Sequence, residues 1–163
     1  MENQIPTWIQ AMQGFDAQGM VQVMLAAVLG GGVIGWERER SGRDAGFRTN
    51  ILIATGACLF TILSVRGFPL NGSTAQDTAR VAAQIVSGVG FLGAGVMFRT
   101  KHHTKGLTTA ATIWMVAAIG MTVGVQAYSL AVFTAVFTFV ILRFLRPVSK
   151  TITPNGRKKT NVE

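Results

Sequence analysis

Asp77, Arg80, Gln84 and Ser87 stand at helical spacing at the head of a run that, after Thr78, is otherwise apolar or glycine. Arg80, Gln84 and Gly88 follow at i, i+4 and i+8 and so stack along one face, with Asp77 one turn earlier and able to meet Arg80. Ionisable groups inside an apolar segment tend to mark working sites, so this strip is expected to line a polar interior; the alternative is an arginine that snorkels to the interface. A second cluster is Trp36-Glu-Arg-Glu-Arg40, continuing to Asn50, in which Glu37, Glu39 and Asp44 alternate with Arg38, Arg40, Arg43 and Arg48. Either these charges pair with one another in a solvated loop, or Glu37 and Glu39 hold a hard divalent cation at a membrane edge. Asp77, Glu37 and Glu39 are therefore the candidate metal ligands, and no other cofactor is expected. His102 and His103 are neighbours whose side chains diverge, with no carboxylate close in sequence, so they make a poor metal pair. The single cysteine, Cys58, excludes a disulfide framework and reads as a small buried hydrophobe. No phosphate loop, nucleophile–base set or paired carboxylates appear, and the chain is not expected to be an enzyme.

The elements that must position these residues are membrane helices. Of 163 residues 49% are hydrophobic and only 13% charged, about half the charge of a soluble domain. Five runs reach spanning length: Met20–Trp36, Thr49–Val65, Val81–Phe98, Leu107–Gln126 and Tyr128–Leu145. The last two are close enough to form a tight helical hairpin around Gly124–Tyr128. Residues 1–19 read as a leader, with Trp8, Ile9, Met12 and Phe15 spaced for an interfacial helix, and they lack the basic n-region of a cleavable signal. Residues 20–146 form the transmembrane unit, and 147–163 a basic, solvated tail.

Charge tests this layout. With five spans, thirteen of the fifteen basic residues fall on one side, leaving Arg66 and Arg80 on the other. Lys and Arg accumulate in cytoplasmic loops, which puts the N-terminus outside and the C-terminus inside. The net charge of +8 is thereby assigned to lipid headgroups and not to nucleic acid.

Glycine supplies the packing. The third span holds Gly88, Gly90, Gly93 and Gly95, the first has Ala27, Gly31 and Gly35, and the fourth has Gly120 and Gly124. In a bilayer small residues let helix backbones approach closely, so the third span is expected to be an interior helix. Thr108 and Thr112 of the fourth could bond across to Gln84 or Ser87, although capping or bonding to their own helix backbone is the commoner outcome. Such faces also suit contact with other membrane proteins or self-association. No charged side chain occurs between residues 107 and 142, so a single chain offers no clear ring of ligands for a dehydrated cation.

Four blocks then carry a resemblance: Gly35-Trp-Glu-Arg-Glu39; Gly46-Phe-Arg48-Thr49-Asn50; Arg80-x-x-x-Gln84 through Gly88-Val-Gly-Phe-Leu-Gly-Ala-Gly95; and Gly106-Leu-Thr108-Thr109-Ala-Ala111 with Trp114. In order and spacing they resemble the MgtC/SapB family of bacterial inner-membrane proteins over roughly residues 20–126. The resemblance implies a multi-pass inner-membrane protein linked to magnesium limitation and, in pathogens, to survival in host cells. It also implies either a regulator that binds other membrane proteins, the rotary ATP synthase among them, or an Mg2+ transporter component. Longer members carry a soluble C-terminal domain, which this chain is expected to lack. Phe47 and Met97 replace Leu and Ile of the family pattern.

Overall fold

The computed structural model describes residues 16–67, 78–99 and 104–152. The interfacial helix expected before residue 16, and Asp77, His102 and His103, lie outside the described residues. Helix α1 starts as an α-helix over Asp16–Ala26, widens to a π-helix over Ala27–Gly35 and ends as an α-helix over Trp36–Arg40. Helix α2 is α-helical over Phe47–Ile62 and π-helical over Leu63–Gly67. Helix α3 is Thr78–Gly95, α4 is Leu107–Gly124 and α5 is Tyr128–Ile152, which carries the last helix past Pro147 into the expected tail. Two short strands, β1 (Phe98–Arg99) and β2 (Thr104–Lys105), pair antiparallel between α3 and α4, with Phe98 opposite Lys105.

Among the described residues four helical stretches, Ala17–Arg40, Phe47–Arg66, Leu107–Gly124 and Tyr128–Leu145, are long and apolar enough to cross a membrane. Helix α3 matches α4 in length at 18 residues, but Arg80, Gln84 and four glycines dilute its apolar content. The chain is an all-α, multi-pass membrane protein.

Helix α2 is the hub, because lipid gives helices no hydrophobic reason to associate and close backbone approach must supply the attraction. On one side α1 presents glycines: a Cβ at Gly30 would sit 2.5 Å from Ala54 Cβ, one at Gly31 2.5 Å from Ile51 Cα and one at Gly35 2.9 Å from Phe47 Cα. On the other side α4 does the same, since a Cβ at Gly120 would strike the Ala54 carbonyl and one at Gly124 would lie 2.7 Å from Thr61 Cβ. Ala27 is only partly buried. The space between is filled by Ile34, Ala54, Cys58, Val116 and Ile119, which leaves an apolar centre. A smaller cluster of Ala57, Ile85, Val89, Ile113 and Ala117 holds α3 against α2 and α4.

Gly106 and the α4–α5 turn set the helix ends. Gly106 opens α4 with φ +87°, and a Cβ there would run into the Val96 carbonyl, so this position needs glycine on both counts. The expected hairpin after α4 is present: Val125, Gln126 and Ala127 donate N–H groups to Met121, Val123 and Thr122, and Gln126 takes φ +66°. These contacts also fix direction. Gly35 meets Phe47, Thr49 and Val96 line one groove, and Arg40 and Arg143 line one cleft. The 41–46 turn, the β-hairpin and the later part of α5 therefore share one end, as the charge pattern required.

Candidate functional site

The charged motif after α1 folds into a stitched turn. Glu37 and Arg38, each 3% exposed, form an ion pair, and the Ser41 hydroxyl donates to Glu37 Oε1 at 2.8 Å. A buried pair survives only when its remaining lone pairs are met, and Ser41 meets one of them. Glu39, two residues on, points elsewhere: its Oε2 accepts the Phe47 N–H at 2.8 Å and caps the start of α2, where a negative charge also suits the helix dipole. Its carboxylate lies over Gly46, where a Cβ would stand 2.9 Å from Glu39 Cδ. Asn50 is fully buried and donates to the carbonyls of Ala45 at 2.8 Å and Gly46 at 2.7 Å. Arg40 lies 5.3 Å over the Trp36 ring.

The expected choice between a solvated paired loop and a cation site thus resolves into a third arrangement, a buried pair beside a helix cap. Glu37 and Glu39 do not converge, and among the described residues no three His, Cys, Asp or Glu side chains come together. A divalent cation at Glu37 would compete directly with Arg38 and Ser41. Arg48 and Thr49 are exposed, Thr49 opening onto a lateral groove.

Helix α3 corrects the expectation of an interior span. It packs through Ile85, Val89 and Gly93, a Cβ on Gly93 falling 3.5 Å from Ala110 Cβ. Much of the rest of its surface is open: Arg80, Gln84, Ser87, Gly88, Gly90 and Gly95 are exposed, and Phe91 is 80% exposed. A Cβ at Gly88, Gly90 or Gly95 would meet nothing within 4 Å. Arg80, Gln84, Ser87 and these three glycines therefore lie outside the core of a single chain, because that core is already filled by the small faces of α1, α2 and α4. Of the two outcomes open to Thr112, the structure shows the bond to its own helix: its hydroxyl donates to the Thr108 carbonyl one turn back at 2.7 Å, the commoner fate of threonine in a helix. Thr108 and Trp114 are exposed while Thr109 is buried.

Between α2 and α3 runs a groove of about 670 Å³ with an almost wholly apolar lining, in which Thr49 and Gln84 are the polar members and Gly56 and Gly88 leave open space. Sequence reasoning missed Gln22, which is fully buried in α1 and donates through Nε2 to the Val123 carbonyl at 3.0 Å and the Gly124 carbonyl at 3.2 Å. It adds a donor to the Val123 carbonyl, which also accepts the Gln126 N–H, and meets the Gly124 carbonyl at the end of α4. A lone amide inside an apolar run was the available signal.

Comparison with known proteins matches residues 24–151 to the model of the MgtC family. The chain is 43% identical over 129 residues to an Escherichia coli K12 protein named "Putative magnesium transporter YhiD", covering 77% of this chain and 60% of that one. It is 45% identical over 125 residues to Protein MgtC of Brucella abortus, covering 77% and 50%. With Protein MgtC of Salmonella typhimurium the identity is 42% over 129 residues, covering 79% and 53%. The chain spans about half the length of the curated relatives it matches. No solved structure matches it.

Proposed function

The chain belongs to the MgtC family, and from that membership we propose that it is an inner-membrane protein of magnesium homeostasis that acts, without catalysis, by helix contact with another membrane protein. The observation that carries this reading is the open face of α3. Gly30, Gly31, Gly35, Gly120 and Gly124 are occupied inside the bundle, whereas Gly88, Gly90 and Gly95 of α3, like Gly56 across the groove on α2, meet nothing. Small residues are what a bilayer helix uses to bring a second backbone close. Gln84 and Ser87 on the same face can hydrogen-bond across such a contact. The basic end, with Arg40, Arg43, Arg48, Arg99, Lys105 and Arg143, faces the cytoplasm in this reading, which leaves the N-terminus outside.

A second reading, an Mg2+ transporter component, draws on the name of the Escherichia coli relative. It is disfavoured by the apolar centre of the bundle, which lets the Arg80–Gln84 strip line a path only between copies. Capture of membrane partners under magnesium limitation tests the contact reading. Gly90→Leu should abolish a specific co-purifying partner while leaving the fold intact; undiminished capture by both Gly90→Leu and Gly88→Leu would overturn it.

A further inference from the structure

At the basic end, the last turn of α1 and the later part of α5 enclose a cleft of about 490 Å³ walled by Trp36, Glu37, Arg40, Phe139, Arg143 and Phe144. Its charge is unbalanced for a definite reason. The one carboxylate in the wall, Glu37, is already committed to Arg38 and to the Ser41 hydroxyl. Among the described residues no carboxylate forms an ion pair with Arg40 or Arg143. Two guanidinium groups on different helices therefore face one cleft with nothing negative left to meet them. Arg40 is held in place by the Trp36 ring beneath it, and both arginines are exposed.

The surroundings are those of a membrane interface. Trp36 is 50% exposed and Phe144 62% exposed, and tryptophan prefers the level of the headgroups. A guanidinium binds phosphate oxygens through paired N–H donors. An anionic ligand with an apolar body fits this set, and the aromatic walls discriminate against a ligand that lacks one.

We propose that this cleft binds the phosphodiester of an anionic phospholipid, Arg40 and Arg143 taking the phosphate from two helices while Trp36, Phe139 and Phe144 pack against its glycerol and upper acyl chains. Such a lipid bridges the ends of α1 and α5 and relieves the repulsion between the two arginines. The site lies away from the open face of α3 and stands independently of the contact reading.

The test uses the full chain carrying Trp8→Phe and Trp114→Phe, so that Trp36 is the sole tryptophan. It is reconstituted in phosphatidylcholine vesicles with brominated phosphatidylglycerol or brominated phosphatidylcholine as quencher. If each cleft arginine that meets the phosphate contributes about fivefold, as one basic residue does at an anionic surface, the relative constant for phosphatidylglycerol sensed at Trp36 should reach about 30-fold. Arg40→Ala or Arg143→Ala should each remove about fivefold, and the double variant should approach parity. Arg99→Ala and Lys105→Ala, at the same end but outside the cleft, should change nothing. A buried, unreactive Cys58 certifies that each variant is folded. Equal quenching by the two lipids, or as large a loss in Arg99→Ala as in Arg143→Ala, would overturn the site. Displacement by millimolar inorganic phosphate would reassign it to a soluble anion and overturn the lipid assignment.

Discussion

Replacing Gly120 and Gly90 with alanine adds the same methyl group to two membrane helices, and the structure gives the two changes opposite signs. At Gly120 the new Cβ meets the Ala54 carbonyl group and stands 3.1 Å from Ala54 Cα. The obstacle is backbone in the middle of α2, which cannot swing aside as a side chain could. Overpacking of this kind costs about 1–3 kcal/mol, against about 1 kcal/mol regained because alanine is the better helix former. With the rigid obstacle placing the cost toward the upper end, the net loss is about 1–2 kcal/mol. For a chain of this size that lowers the melting temperature by about 2–8 °C. At Gly90 nothing lies within 4 Å, so only the propensity gain remains, about 1 kcal/mol or 2–4 °C upward. The protein carries its own reporter: Cys58 is the single cysteine and is fully buried, so a dye that fluoresces on reacting with thiols reads unfolding directly during a thermal ramp in detergent. Gly120→Ala melting with the wild type, or Gly90→Ala falling as far as Gly120→Ala, would refute the placement of α2 as the hub and of α3 at the edge.

The charged turn makes further commitments. Arg38→Ala strands a buried carboxylate and should destabilise by about 3–5 kcal/mol, whereas removing both charges with Glu37→Leu and Arg38→Met should recover most of that in the same thiol melt. Glu39→Ala removes the cap of α2 and should lower stability by about 1 kcal/mol, with Glu39→Gln falling between it and wild type because the acceptor survives without the charge. Gln22→Leu should lose about 1 kcal/mol with its two bonds to the end of α4. In a Cys58→Ala background, cysteines at Arg43 and Lys105 should be labelled only from the cytoplasm and one at Arg66 only from outside; labelling of Arg43 and Lys105 from opposite sides would break the five-helix layout.

The order of helices, the hairpin after Gly124 and the gathering of basic charge at one end were legible because each depends on run length and loop charge alone. The expected spans differ from the helices chiefly at their ends, where α1 begins earlier and α5 runs on to Ile152. Which glycines lie inside was not legible. Helices α1, α3 and α4 all present small residues, and only the tertiary arrangement shows that α2 is clasped by Gly31 and Gly35 from one side and by Gly120 and Gly124 from the other. With those surfaces consumed, Gly88, Gly90 and Gly95 of α3 are left facing outward while Gly93 packs inside. The roles of Glu37 and Glu39 were hidden for a similar reason. Their separation, one toward Arg38 and the other toward the start of α2, depends on a turn that brings Gly46 back over α1.

Magnesium flux separates contact from conduction. The purified protein is reconstituted in liposomes holding an entrapped Mg2+ indicator, with an intact Cys58 melt confirming the fold. A protein that works by contact leaves the rate of protein-free liposomes unchanged, in the wild type and in Arg80→Ala and Gln84→Leu alike. A protein-dependent flux that Arg80→Ala or Gln84→Leu abolishes would contradict the contact reading and make the outward strip of α3 the wall of a path between copies.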